Sequence, residues 1–206
     1  FKMVVPDLTA AEKFYSAFGL DVREEGNGLG LYTAGNAHRW GTLGEGPHKR
    51  MNVISFATFE EDFEPMRRHI EGQGIRLLDP PPGFDSNGIF FLDPNEFLVE
   101  VKVAEKTSPN SKVGFGALDA STPNNVVASW SRFAKPQVRP LRFAHMLMFV
   151  ASVPKSIEFY KRVLGMRLSD RTGEIIAFMH GIHGSDHHMI AFVTSIVTVP
   201  AFGFGI

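Results

Sequence analysis

The feature that most constrains the fold is an internal repeat of one helix signature. A Phe-Tyr pair begins at Phe14 and another at Phe159, an offset of 145 residues. The tyrosine of each pair lies on an apolar helical stripe, and each helix ends at a glycine, Gly19 in the first copy and Gly165 in the second. Glycine at this place is the usual helix stop, because it adopts the left-handed conformation without strain. A strand-like run precedes each helix, so the sequence predicts a duplicated strand-helix unit.

The starts and inner faces of the two helices are also predicted. Thr9 and Glu12 have the spacing of a capping box, and Ser152 is a suitable N-cap for the second helix. The inner face of the first helix is predicted to consist of Leu8, Ala11, Tyr15 and Phe18. That of the second is predicted to consist of Ile157, Tyr160 and Leu164.

The rest of the first half alternates between strand and helix patterns. Strands are predicted at residues 20–25, 29–33, 51–57, 75–78, 88–92 and 97–103, with a helix at 60–71 and an irregular polar stretch at 34–50. The predicted class is α+β, with two repeated modules of the βαβββ type. Their boundaries are residues 1–104 for the N-terminal module, which carries no metal, and 141–206 for the C-terminal, metal-bearing module. Residues 105–140, rich in Ser, Pro, Asn and Gly, are the connector.

Composition excludes several classes of function. A net charge of −1 gives no basic surface for nucleic acid, and no apolar run approaches the roughly 18 residues of a membrane span. The 206 residues contain no cysteine, so no disulfide framework is present and a cytoplasmic location is the default expectation. The start at Phe1 and the apolar end at Ile206 have the character of cut ends, and the second module is expected to be truncated.

Two histidines introduce possible chemistry. His145 interrupts an apolar, strand-like run, and His187 and His188 precede a second run that ends at Val193. A lone histidine in a core strand is more often a hydrogen-bonded structural residue than a ligand. Two such histidines, His145 and one of the adjacent pair, form a candidate metal pair. Neighbouring residues of a strand face opposite ways, so only one of the adjacent histidines is expected to face His145.

These segments together resemble the vicinal oxygen chelate superfamily, whose members share the glyoxalase, bleomycin-resistance and extradiol dioxygenase fold. The closing strand of the first half, Leu92-Asp-Pro-Asn-Glu-Phe-Leu-Val-Glu100, adds to the resemblance. Within the superfamily the chain is most similar to the type I extradiol ring-cleavage dioxygenases. The resemblance implies an enzyme that opens a catechol ring with O₂, and it covers nearly the whole chain.

The resemblance also implies the cofactor, Fe(II) held by two histidines and a glutamate, although Mn(II) accepts the same ligands. His145 and His188 match the two histidine ligands, and His187 is expected to face away. Aligning residue 55 with residue 191 pairs His188 with Asn52, so no metal is expected in the first half. Glu100 is then the non-ligating counterpart of a third ligand, which is expected about 30 residues beyond Ile206.

Proton transfer near the metal needs further groups, and His180 and His183 are the candidates. Both lie in a Gly-rich segment, where solvated loop histidines are an equally good interpretation. Three functions stay open: the dioxygenase, a glyoxalase-like lyase or isomerase, and a binding protein that has lost its metal. Asn52 argues against the lyase, because that chemistry usually draws ligands from both modules. The expected partners are a catecholic substrate, O₂ and further copies of the chain in a homo-oligomer.

Overall fold

A computed structural model describes residues 1–107, 139–183 and 186–195. The helices are α1 (Leu8–Phe18), α2 (Glu60–Gly72) and α3 (Val153–Leu164). The strands of the first half are β1 (Lys2–Val5), β2 (Asp21–Glu25), β3 (Gly28–Tyr32), β4 (Gly41–Glu45), β5 (Arg50–Thr58), β6 (Ile89–Leu92) and β7 (Leu98–Val103). Those of the second half are β8 (Met146–Val150), β9 (Arg167–Thr172), β10 (Ile176–His180) and β11 (Ile190–Thr194). Most of the predicted connector lies outside the described residues.

The strand order shows the repeat directly. In the first half β1 pairs in parallel with β4, and β4, β3 and β2 follow as antiparallel neighbours. In the second half β8 pairs in parallel with β11, and β10 and β9 follow in the same way. A further copy, the second of three in chain order, comprises β5, β7 and β6, and in it an isolated bridge from Leu78 to Phe90 replaces the last strand. The unit of β8 to β11 is therefore the third copy. The predicted α+β class with βαβββ-type units is confirmed.

The copies differ in how their first strands are paired. Strand β1 pairs with β5 in an antiparallel manner, which joins the first two copies into one seven-stranded sheet. Strand β8 is the equivalent strand of the third copy, and it lies at the edge of a four-stranded sheet. Within the described part of the chain only one edge of β8 is therefore paired.

Local predictions failed where the pattern was weak. Strand β4 lies inside the stretch predicted to be irregular. The sequence pattern did not indicate this strand because Gly41 and Gly44 have little intrinsic preference for strands. The predicted strand at 75–78 is reduced to the single bridge at Leu78. Helix α1 is capped by Asp7, whose Oδ1 accepts from the Ala10 backbone N–H at 2.8 Å, so the predicted capping box is wrong.

The helix stops and the second helix agree with the sequence. Gly19 and Gly165 both adopt positive φ angles, 100° and 65°, and Ser152 caps α3 by accepting from the Lys155 backbone N–H. Phe18 differs from its prediction, since 60% of its surface is exposed. Among the described helices none is long and apolar enough to cross a membrane.

One hydrophobic core extends across both halves. It combines the helix-facing side of β5, β6 and β7 with α3 and the helix-facing side of β8, β10 and β11. Its largest fully buried members include Phe91, Tyr160 and Phe192. A smaller core lies between α1 and the first sheet and contains Met3, Leu31 and Leu43.

A polar turn fixes the first half to α3. Asn95 accepts from the Ala151 N–H through Oδ1 at 3.0 Å and donates through Nδ2 to Ser156 Oγ at 3.2 Å. The hydroxyl of the fully buried Tyr160 donates to Asp93 Oδ2 at 3.2 Å. Burial raises the pKa of Asp93. The Tyr160 hydroxyl, the Asn95 side chain and the backbone N–H groups of Asn95 and Phe97 act in the opposite direction, because they favour the charged carboxylate.

Replacing Asp93 by Ala tests how much this turn stabilises the fold. We expect the free energy of unfolding to fall by about 2–4 kcal/mol, because buried donors that include the Tyr160 hydroxyl lose their acceptor. Urea unfolding followed by circular dichroism measures the change. The exposed Asp79 is the matched control, and Asp79→Ala should change stability by less than about 0.5 kcal/mol. Equal effects for the two variants would show that the turn is not an important stabilising contact.

Candidate active site

Strand pairing brings His145 and His188 together. His145 directly precedes β8, His188 lies two residues before β11, and the Met146 N–H donates to the Met189 carbonyl at 3.1 Å. The two imidazole rings have centroids 4.4 Å apart and are tilted by 45°. The ring pair lies at the end of the sheet where both strands begin.

His187 does not face away from this pair. Its Nδ1 lies 3.1 Å from Nδ1 of His188, so the predicted opposite orientation is wrong. The alternation of faces holds only inside a strand, and β11 begins two residues later at Ile190. One of the two facing nitrogens must carry the proton and the other the lone pair. When His188 is the donor, its Nε2 is the nitrogen with a lone pair.

The surroundings of His188 favour its neutral form. Burial lowers the pKa of His188 from 6.5, and the neighbouring His145 and His187 lower it further, while Asp186 acts in the opposite direction. A neutral imidazole is the form that binds a metal or accepts a proton.

An ion pair that sequence reasoning missed lies next to the rings. Arg142 donates through Nη1 and Nη2 to the two carboxylate oxygens of Asp186 at 2.7 and 2.6 Å. The pair spans 44 residues of sequence. The only signal available in the sequence was that each partner lies within three residues of a candidate histidine.

His180 and His183 lie in different surroundings. The Ser169 hydroxyl donates to the His187 carbonyl, and Ser169 Oγ lies 2.6 Å from His180 Nδ1. A hydroxyl has one proton to donate, so the His180 Nδ1 must be the protonated donor in this contact. His183 instead packs against Phe59 of the first half, with ring centroids 5.1 Å apart. His180 therefore supports the backbone at His187, and His183 contacts the interface between the halves.

Apolar side chains surround the histidine pair. The Phe178 ring lies 4.8 Å from His188 and 5.8 Å from His187 between centroids. Leu147 and Phe149 lie on the face of β8 opposite the core residues Met148 and Val150 and are 39% and 44% exposed. This surface is suited to contact with an aromatic molecule.

The topology corrects the alignment that paired His188 with Asn52. Asn52 lies in β5, which pairs in parallel with β7 as β8 does with β11. Strand β5 is thus the counterpart of β8, and Asn52 corresponds to the region of His145. The segment before β7 is the counterpart of the His188 segment. The repeat therefore gives no basis for choosing between His187 and His188.

A complete metal site is not formed by the described residues. Within residues 1–107, 139–183 and 186–195, no three His, Cys, Asp or Glu side chains are arranged to hold an ion. Glu100 is buried in the first half, where it accepts from the hydroxyls of Ser55 and Ser86. These two hydroxyl donors satisfy its carboxylate.

The chain belongs to the Glyoxalase/Bleomycin resistance protein/Dioxygenase superfamily, whose family model matches residues 1–101 and 142–203. It is 40% identical over 195 residues to Metapyrocatechase 2 of Cupriavidus necator. That alignment covers 95% of this chain and 60% of the relative, so the chain spans less than two thirds of that protein's length.

Solved structures share the fold at low sequence identity. The 2,2',3-trihydroxybiphenyl 1,2-dioxygenase of Sphingomonas wittichii strain RW1 has a TM-score of 0.66 at 19% identity, covering 94% of this chain and 65% of that one. The Mn(II)-bound glyoxalase of Novosphingobium aromaticivorans has a TM-score of 0.65 at 21% identity, covering 94% and 60%. These likenesses support the same fold for the described residues.

The tautomer of His180 is a direct test of the Ser169 contact. In the unchanged protein we expect neutral His180 to carry its proton on Nδ1, which ¹⁵N NMR of the ring nitrogens distinguishes. Ser169→Ala removes the acceptor and should shift the proton toward Nε2, whereas Ser169→Thr keeps a hydroxyl and should preserve the Nδ1 form. An Nε2-protonated ring in the unchanged protein would contradict the deduced hydrogen bond.

Proposed function

We propose that this chain is part of a metal-dependent extradiol dioxygenase that opens a catecholic ring with O₂. The observation that carries the proposal is the close pair of His145 and His188 beside an exposed apolar surface. The 40% identity to a metapyrocatechase, a catechol 2,3-dioxygenase by name, supports the same reaction. The substrate of this protein is accordingly proposed to be a catechol.

The histidine pair fits two positions of a metal centre. Two imidazoles bound to one ion at adjacent positions, with bonds of about 2.1 Å, have ring centroids about 4.5 Å apart. The observed separation is 4.4 Å. His145 and His188 would hold Fe(II), or Mn(II), together with a carboxylate from outside the described residues. When bound, the ion would hold the catechol oxygens and O₂ together and supply the redox chemistry of ring opening.

The remaining side chains have separate tasks in this proposal. With the proton on His188 Nδ1, His187 would accept a hydrogen bond from it and hold the ring so that Nε2 faces the ion, which is the usual arrangement around a ligating histidine. Phe178, beside His188, and the exposed Leu147 and Phe149 would contact the aromatic ring of the substrate and exclude water from it. His180 acts indirectly, through Ser169 and the His187 backbone, and His183 has no contact that assigns it a proton-transfer role.

A second role for His188 is proton transfer, because its ring lies 4.4 Å from that of His145 between centroids and burial lowers its pKa. A neutral histidine beside a metal held by His145 would accept the proton that the catechol releases on binding. The two roles differ in one measurable quantity, the metal content after His188 is removed. A glyoxalase-like reaction is less well supported, because the β5 counterpart of the His145 region contains Met51 and Asn52 and no histidine.

Catechol cleavage is the direct test. Protein expressed from its complete reading frame and loaded anaerobically with Fe(II) should consume one O₂ per catechol and form a yellow ring-opened product. Oxygen uptake and absorbance measure the reaction on catechol, a methylcatechol and 2,3-dihydroxybiphenyl. Iron-loaded protein that consumes no oxygen with any of these substrates would contradict the dioxygenase function.

Three alanine variants separate the roles of the histidines. His145→Ala should lower the bound iron by at least about 10-fold, measured by elemental analysis after gel filtration. His188→Ala should do the same if His188 is a ligand, and should keep its iron but lose about 10²–10⁴-fold in kcat if it transfers a proton. His187→Ala is the matched control, and it should retain most of the iron. Loss of iron from the His187 variant alone would reverse the assignment of the adjacent pair.

The same proposal includes a cytoplasmic homo-oligomer as the form of the complete protein. Size-exclusion chromatography with light scattering measures its mass, and a monomer at micromolar concentration would contradict the oligomer.

A further inference from the structure

The Arg142–Asp186 ion pair joins the two segments that carry the histidine pair. Arg142 lies three residues before His145, and Asp186 lies two residues before His188. Both guanidinium Nη atoms donate, one to each carboxylate oxygen, at 2.7 and 2.6 Å. Such a two-pronged contact fixes the relative orientation of the two side chains as well as their distance.

Regular strand pairing among the described residues does not extend to the two histidines, although the Ser169 hydroxyl on β9 binds the His187 carbonyl. Strand β8 begins at Met146 and β11 at Ile190, so both histidines precede the regular strands. The last backbone contact toward them is the Met146 N–H to the Met189 carbonyl. Beyond that point the two segments need a further restraint, and the ion pair provides one directly between them.

The pair is better shielded than the other ion pairs of the described residues. Its side chains are 28% and 25% exposed, whereas each of the other three pairs has at least one partner above 45%. Exposed ion pairs contribute little to the stability of a fold. The placement of this one, at the base of both histidine segments, points to a local function.

We propose that Arg142 and Asp186 are positioning residues for the reaction at the histidine pair. They set the distance between the His145 and His188 rings and contact neither the metal nor the substrate themselves. The effect on catalysis rests on the proposed dioxygenase function, whereas the effect on ring geometry does not depend on it.

Kinetics of the complete, iron-loaded enzyme test the catalytic consequence. Asp186→Asn keeps the shape of the side chain and removes its charge, and we expect kcat to fall by about 10–100-fold with KM changed less than about threefold. The control is Asp21→Asn, which breaks the 2.7 Å pair with Arg23 on the far side of the first sheet and should leave both constants unchanged. The midpoints of thermal unfolding of the two variants should agree closely.

Reversal of the charges separates positioning from a general structural role. The double variant Arg142→Asp with Asp186→Arg restores an ion pair and should regain most of the kcat lost in Asp186→Asn. Equal kcat values for Asp186→Asn and Asp21→Asn would overturn the proposal. A double variant as slow as Asp186→Asn would overturn it as well.

A measurement without metal or substrate tests the geometry itself. This chain contains no cysteine, so replacing His145 and His188 by Cys creates a single reporter pair within it. The rate of disulfide formation on mild oxidation reports how often the two positions meet. Adding Asp186→Asn should slow closure at least about fivefold, and adding Asp21→Asn should not.

The two readouts distinguish failure of this inference from failure of the proposed function. Unchanged closure with Asp186→Asn would overturn the positioning role whatever the activity. Slowed closure in a protein that cleaves no catechol would support the positioning role and would show that only the reaction assigned to the histidines is wrong.

Discussion

The parallel pairing of the first and last strands of each unit determines where chemistry can occur. Parallel neighbours begin at the same end of a sheet, so residues just before β8 and just before β11 must meet there. His145 and His188 occupy these two places although 43 positions separate them in the sequence. The helix between the two strands makes this possible, because a parallel connection must cross the face of the sheet. The location of the site therefore follows from the strand pairing that all copies share. The histidines just before β8 and β11 are particular to this copy.

The segment before the last strand of the unit has different functions in the second and third copies. In the second copy the turn before β7 supplies Asp93 and Asn95, which bind α3 of the third copy and fix the two halves to each other. In the third copy the corresponding segment, before β11, supplies His187 and His188. The segment before the last strand therefore holds the two halves together in the second copy and contributes to the candidate site in the third. Because the third-copy helix is held by the second-copy turn, the strands that carry the histidines rest on the core shared by both halves.

Sequence reasoning succeeded where local chemistry decides the structure. The glycine stops at Gly19 and Gly165 and the Ser152 cap depend on a few adjacent residues, and all three were predicted. It failed at β4, where neighbouring strands impose the extended form on a Gly-rich stretch, and at Asp7, which competed with a capping box two residues later. The orientation of His187 was misjudged because strand periodicity was extended past the start of β11. The Arg142–Asp186 contact joins segments that only the tertiary fold brings together, so no local pattern indicated it.

Within residues 1–107, 139–183 and 186–195, β8 pairs with another strand along one edge, and this has a thermodynamic consequence. The backbone N–H and C=O groups along the other edge of an open strand are ready to bind a further strand. Any segment that binds there would restrict the motion of β8 and with it the position of His145. Such binding and the binding of a ligand to the histidines are then linked, so each would change the affinity of the other by the same factor. A segment bound along the other edge of β8 would therefore be detectable as a change in the affinity of the histidine pair for its ligand.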